Sequence, residues 1–219
     1  MTAFSFISIS IVEYIGAMVA MLALFRYPVS YYWPQIGFTS LICSVLSYLL
    51  SVEHDIALAP LIQVIVQAVC IWLMFNTPLL WSIIMCSSFL VAYLLFQGGL
   101  IYLLFMIGLV PPIVSKTGWT IYLIQLFCAG FCWVLGRYWQ RKGIGFLFIP
   151  TSRDEPYVWS KAGKLLFAGS ILSFIAFGTF FEVYSRANLQ WYSILLIILL
   201  AVTIGLLYIM KRKNKEYVE

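Results

Sequence analysis

Apolar residues run along this chain in blocks of about twenty, each long enough to cross a bilayer core of roughly 30 Å as a helix, with short polar turns between them. The first block runs from Phe4 to Phe25 and stops at Arg26-Tyr27-Pro28. The second covers Gln35 to Val52 and ends at Glu53-His54-Asp55. The third covers Ile56 to Phe75, where Asn76-Thr77-Pro78 makes a tight turn. Helices two, three and four are therefore expected as antiparallel neighbours. Leu79 to Val110 is too long for one upright crossing, since a straight helix would extend roughly 48 Å. Gln97-Gly98-Gly99 offers a break, because paired glycines are poor helix formers. One crossing followed by an outer-leaflet extension to Pro111-Pro112 is expected. A fifth span follows from Trp119 to Leu135, a sixth from Leu165 to Val183 and a seventh from Trp191 to Met210. The pattern predicts an all-α, polytopic helix bundle of seven spans in one domain, residues 1–210, followed by a short basic tail, 211–219.

Charge gives that bundle a direction. Of the thirteen Lys and Arg residues, Arg26, Arg137, Arg141, Lys142, Arg153, Lys161, Lys164, Lys211, Arg212, Lys213 and Lys215 fall on one side of a seven-span arrangement; only Lys116 and Arg186 fall on the other. The positive-inside rule then puts the N-terminus out and the C-terminus in. Splitting Leu79 to Val110 into two crossings would place one of the basic clusters outside, so the charges argue for seven spans. Trp119, Trp133, Trp139, Trp159 and Trp191 near the span ends suit head-group depth. The longest inside segment, 136–164, is basic at both ends with an aliphatic and aromatic middle, and is expected to lie on the membrane surface.

Composition fits this reading, with 63% apolar and 10% charged residues against roughly 45–50% and 25% in soluble domains. The net charge of +5 sits beside span ends, so it reads as topology and contact with anionic lipid, not as a nucleic-acid footprint. Residues 1–10 carry no Lys or Arg for a signal-peptide n-region, and the first span is expected to persist. The five cysteines, Cys43, Cys70, Cys86, Cys128 and Cys132, all fall inside spans and have no C-x-x-C spacing. They read as packing residues.

Few side chains are placed for chemistry. An H-E-x-x-H pair is missing, and His54, the sole histidine, sits in an outer turn, as a pH-sensitive group or simply a solvated one. Glu13 is the one acidic residue well inside a span. If its helix begins near Phe4, it is a candidate proton carrier or ligand counter-charge; if the helix begins near Ser8 or Ser10, it is a wetted first-turn residue favoured by the helix dipole. Gln63 and Gln67 share a face of span three, and Gln97 and Gln125 add amides to spans four and five. These five residues are expected to face the bundle interior, as helix-helix hydrogen-bond partners or as the lining of a ligand pocket. Ser40, Ser44, Ser47, Ser82, Ser87 and Ser88 suit close helix packing, and Glu182 and Arg186 are spaced to pair at the outer end of span six.

Three segments carry a resemblance: Phe25-Arg26-Tyr27-Pro28, Phe75-Asn76-Thr77-Pro78-Leu79, and Gly143-Ile144-Gly145-Phe146-Leu147-Phe148-Ile149-Pro150. With seven spans and an outside N-terminus, they resemble the membrane sensor region of Gram-positive accessory-gene-regulator-type receptor histidine kinases. In that family a dimerisation helix and a kinase domain follow the sensor; this chain carries neither. The resemblance implies a sensor half or a receptor that signals through a separate protein, and no ligand-binding residue transfers. The expectation is a non-enzymatic, multi-pass cell-membrane protein of the sensor class, without cofactor or metal, detecting an outside peptide or apolar small molecule. Its partners would be the bilayer, that ligand, and a membrane or cytoplasmic protein or a second copy of itself. The alternatives are a small-solute transporter with Glu13, Gln63, Gln67 and Gln97 around a discontinuous helix, and an assembly or immunity subunit.

Overall fold

A computed structural model describes residues 3–54, 56, 59–110, 118–150, 161–185 and 189–218. These are helical, with no strand: α1 (Ala3–Leu24), α2 (Trp33–Ser47), α3 (Ala59–Met74), α4 (Leu79–Met106), α5 (Trp119–Lys142), α6 (Lys161–Ser185) and α7 (Leu189–Val218). A 3-10 turn, Val29–Tyr31, precedes α2, and a π-helical stretch, Tyr48–Glu53, prolongs it. Among the described residues, five helices are long and apolar enough to cross a membrane: α1, α2 with its extension, α4, α5 and α7. The helix α3, at 16 residues, rises only about 24 Å. Large apolar side chains such as Leu103, Leu123, Phe127, Val134, Ile197 and Ile204 are left exposed on the bundle's outside, as a lipid-facing surface requires.

The contact that organises the bundle is between α1 and α5. A Cβ on Gly16 would lie 2.5 Å from the Ala129 carbonyl oxygen, and one on Gly136 would lie 3.0 Å from the Ala20 Cα. Small residues on both helices thus let the backbones touch, the usual route to tight association in lipid. Contacts continue in step along the pair: Phe6 packs edge-on to Tyr122 near one end, and Arg26 donates a hydrogen bond to the Gly143 carbonyl at the other. Residue numbers rise together, so the two helices are parallel.

Three corrections to the sequence reading follow. The first helix starts at Ala3, which puts Glu13 at mid-helix and removes the first-turn alternative. The helix α4 runs unbroken through Gln97-Gly98-Gly99. A helical glycine costs about 1 kcal/mol relative to alanine, whereas each backbone group left unpaired in lipid costs several, so the ladder stays intact. It ends instead at Gly108, with φ +78°, where the Leu109 and Gly108 amides donate to the Leu104 and Phe105 carbonyls. Pro111 and Pro112 lie outside the described residues.

The third correction concerns the 136–164 segment, expected to lie on the membrane surface. The helix α5 continues to Lys142, so Arg137, Arg141 and Lys142 are helical, and α7 likewise carries Lys211 to Lys215 on its last turns. Residues 143–150 do not lie out on the membrane. They fold across the bundle end: the Phe146 amide donates to the Leu24 carbonyl (2.8 Å), the Leu147 amide donates to Asn214 Oδ1 (2.6 Å), and Phe148 packs against Phe25 and Trp81. Phe148 and Ile149 are buried. The helix ends leave an apolar hollow there, and burying two large side chains in it is worth several kcal/mol over leaving them in water, at roughly 1.5–3 kcal/mol each.

Two helical glycines, Gly16 at the α1–α5 contact and Gly37 on α2, differ in what an added methyl group would meet. Gly16→Ala is expected to destabilise the bundle by about 1–3 kcal/mol through overpacking. Gly37→Ala, where an added Cβ meets nothing within 4 Å, is expected to be neutral or to gain up to about 1 kcal/mol. Denaturant or thermal unfolding in detergent micelles checks both.

Candidate functional site

Glu13 stands at mid-helix on the side of α1 that faces α4 and α5. Its Oε1 accepts two hydrogen bonds from α4, one from the Tyr93 hydroxyl (2.5 Å) and one from Gln97 Nε2 (3.0 Å). Gln125 of α5 is hydrogen-bonded to the same carboxyl. Tyr93 and Gln97 reach it together because residues four apart share a helix face. Gln125 reaches it because it lies one turn before Ala129, the residue against which Gly16 closes. Among the described residues, no basic side chain acts on the carboxyl; its partners are neutral.

The other two expected interior amides belong to a different seam. Gln63 Oε1 accepts from the Tyr14 hydroxyl (2.8 Å), and Gln67 Nε2 contacts the Met18 sulfur (3.2 Å), both joining α3 to α1. Of the five candidates, Glu13, Gln97 and Gln125 therefore meet at one point, while Gln63 and Gln67 do not join them. With α4 continuous as well, the discontinuous-helix transporter site expected from Glu13, Gln63, Gln67 and Gln97 is not formed. Tyr93 and Tyr14 were missing from the expected set. Their positions were readable as four before Gln97 and next to Glu13.

Other candidates resolve into packing. The Ser44, Ser82 and Ser87 hydroxyls bond carbonyls of their own or the preceding turn, and Ser40, Ser44, Ser82, Ser87 and Ser88 are buried. All five cysteines are free and buried. His54 is exposed beyond the π-helical stretch. Arg186 and the Glu182 side chain lie outside the described residues.

At the opposite end from His54, helix termini and the 143–150 segment form a second polar cluster. The Tyr27 hydroxyl bonds Thr77 Oγ1 (2.9 Å) and donates to the Pro150 carbonyl (3.3 Å), while Gln140 Nε2 donates to the Tyr27 carbonyl (3.2 Å). Arg26 takes up a left-handed backbone conformation, φ 56°, where its amide and that of Tyr27 close the end of α1 on the Ala23 and Leu22 carbonyls. A shallow cleft of about 250 Å³ opens beside it, between Arg26, Tyr27, Trp139 and Gln140.

Comparison with known protein families, curated proteins and solved structures finds no match to this chain.

If Tyr93 and Gln97 hold α4 to α1 through Glu13, then Tyr93→Phe and Gln97→Leu should each lower stability in micelles by roughly 0.5–2 kcal/mol. In a Glu13→Leu background the same changes should cost little. A double-mutant cycle measures the coupling, and additive effects would deny that these groups act together.

Proposed function

We propose that this chain is a seven-span, non-enzymatic membrane protein of the sensor class, with its N-terminus outside and its basic end inside. Orientation rests on the charges: the end that gathers Arg26, Arg137, Arg141, Lys142 and Lys211 to Lys215 is the inner one by the positive-inside rule. The ligand is a peptide or apolar small molecule taken at the outer turns, and the output goes to a separate protein at the inner face.

One observation carries this reading. The 143–150 segment is bonded to the ends of α1 and α7 and seated against the start of α4, so helix displacement on the outer side changes the inner surface. A ligand acts on such a device only by binding one helix arrangement better than another. Gly145 makes the seat tight: at φ +151° an added Cβ would lie 2.6 Å from the Leu24 carbonyl. Gly145→Ala is therefore expected to unseat the segment while the spans stay folded.

The test uses a variant with the five native cysteines replaced and a single cysteine at Phe148, reacted with a membrane-impermeant maleimide applied to the basic end. Labelling should be slow at rest, fast in the Gly145→Ala background, and faster on adding spent-culture extract of the source organism. Labelling that no extract fraction changes, together with solute flux in proteoliposomes, would replace the sensor reading with transport. Stable co-purification of a membrane partner without any ligand response would replace it with an assembly role.

A further inference from the structure

We propose that the cleft at the basic end is a binding site for the phosphate of an anionic phospholipid. This needs only that the chain crosses a bilayer, and does not depend on the sensor reading.

The cleft lies where the parallel α1–α5 pair leaves the apolar zone. Its walls come from the end of α1, the last turn of α5 and the chain leading to α2: Arg26, Tyr27, Pro28, Trp139, Gln140 and Ile144. The lining holds one cation and no acid. At about 250 Å³ it is smaller than the roughly 300–1,000 Å³ of pockets that enclose a small molecule. It suits a head group whose remainder stays outside, in the hydrocarbon. An apolar ledge leads that way. Trp133, seven residues before Gln140 and so on the same side of α5, packs against Trp33 of α2 with ring centroids 5.3 Å apart and stays exposed.

The cation is held in advance. Arg26 has φ 56°, fixed by its own amide on the Ala23 carbonyl and the Tyr27 amide on the Leu22 carbonyl. Its guanidinium donates to the Gly143 carbonyl, which occupies one of five N–H groups. A planar fork of this kind matches two phosphate oxygens, and a side chain already anchored loses little freedom on binding.

Two helix C-termini meet here, and bare carbonyls would repel a phosphate. They are not bare. The Leu22, Ala23 and Leu24 carbonyls accept from the Tyr27, Arg26 and Phe146 amides, and the Trp139 and Gln140 carbonyls from the Ile144 and Gly143 amides. Gln140 Nε2 covers the Tyr27 carbonyl. The wider charge has one sign: Arg137, Arg141, Lys142 and Lys211 to Lys215 lie at this end, and Glu216, the one acid there among the described residues, is paired with Arg212 and Lys213. A lipid with net negative charge is therefore favoured over a zwitterionic one, whose own cation is repelled.

The full chain in phosphatidylcholine nanodiscs containing a small fraction of phosphatidylglycerol tests this. A phosphatidylglycerol with a diazirine beside its head group should form adducts at residues 23–28 and 139–144 on illumination, read by peptide mass. Unlabelled phosphatidylglycerol should compete them away, and added phosphatidylcholine should not. Arg26→Asn removes the charge and keeps a residue at ease in the left-handed region; it should lower adduct yield about tenfold. Arg137→Gln, the same charge change at the same end but outside the cleft, should lower it by less than about twofold. The wild-type adduct map needs no variant, so it decides even where Arg26→Asn fails to fold. Adducts spread evenly over the basic end, or equal losses from both variants, would overturn the proposal in favour of diffuse attraction. Adducts lost on adding inorganic phosphate at constant ionic strength would overturn it too, and would assign the cleft to a free anion.

Discussion

Backbone contact between α1 and α5 is the constraint from which the rest follows. In lipid there is no hydrophobic gain from bringing two apolar helices together, so association depends on close van der Waals approach and interhelical hydrogen bonds. Gly16 and Ala20 on one helix and Ala129 and Gly136 on the other permit that approach. Once it is made, the register is set along the whole pair. Glu13 must meet Gln125 above the contact, and Arg26 must meet Gly143 below it.

Parallel packing also creates a problem at the basic end, because two helix C-termini with aligned dipoles emerge side by side. The chain answers it locally. Arg26 projects across to the α5 terminus, Arg141 and Lys142 occupy the last turn of α5, and Gly143, at φ +61°, turns the chain back so that the Phe146 amide satisfies the Leu24 carbonyl. The aromatic residues that follow then fall into the space between α1, α4 and α7. A segment that looks surface-active in isolation is in fact the plug of the bundle.

This difference marks where sequence reasoning reached and where it stopped. Helix positions were legible because each span needs a long apolar run, and the end of α2 with its extension, the end of α3 and the start of α4 fall within a few residues of the expected turns. The continuity of α4 was not, since glycine propensity measured in water overstates the tendency to break where no water can take over the backbone hydrogen bonds. The fate of 143–150 was not, because Phe146 and Phe148 are equally apolar against lipid or against Phe25 and Trp81. At the polar centre, Glu13, Gln97 and Gln125 could be named one by one, but their convergence depends on the pairing of α1 with α5, and so on which of several small-residue faces meet. Tyr93 was hidden by its amphipathic ring, as much at home at an interface as in a core.

The two halves of the bundle differ in kind, and that difference bears on what such a molecule can do. Between Glu13 and the Trp119 end of α5 lie amide and hydroxyl groups from α4 and α5, some of them unpartnered. Between Glu13 and the basic end lie small residues in backbone contact and a cluster of Met, Val, Leu and Phe, with Ser88 Oγ of α4 and Ser40 Oγ of α2 buried there without a partner. Polar groups that can exchange partners make an arrangement easy to alter; close-packed backbones have few intermediate positions and move as a unit. Any displacement of α1 therefore carries α5 with it. The first thing that displacement meets is the plug anchored on Leu24 and Asn214. Separating α1 from α5 at that end would mean breaking contacts that leave no room for a methyl group.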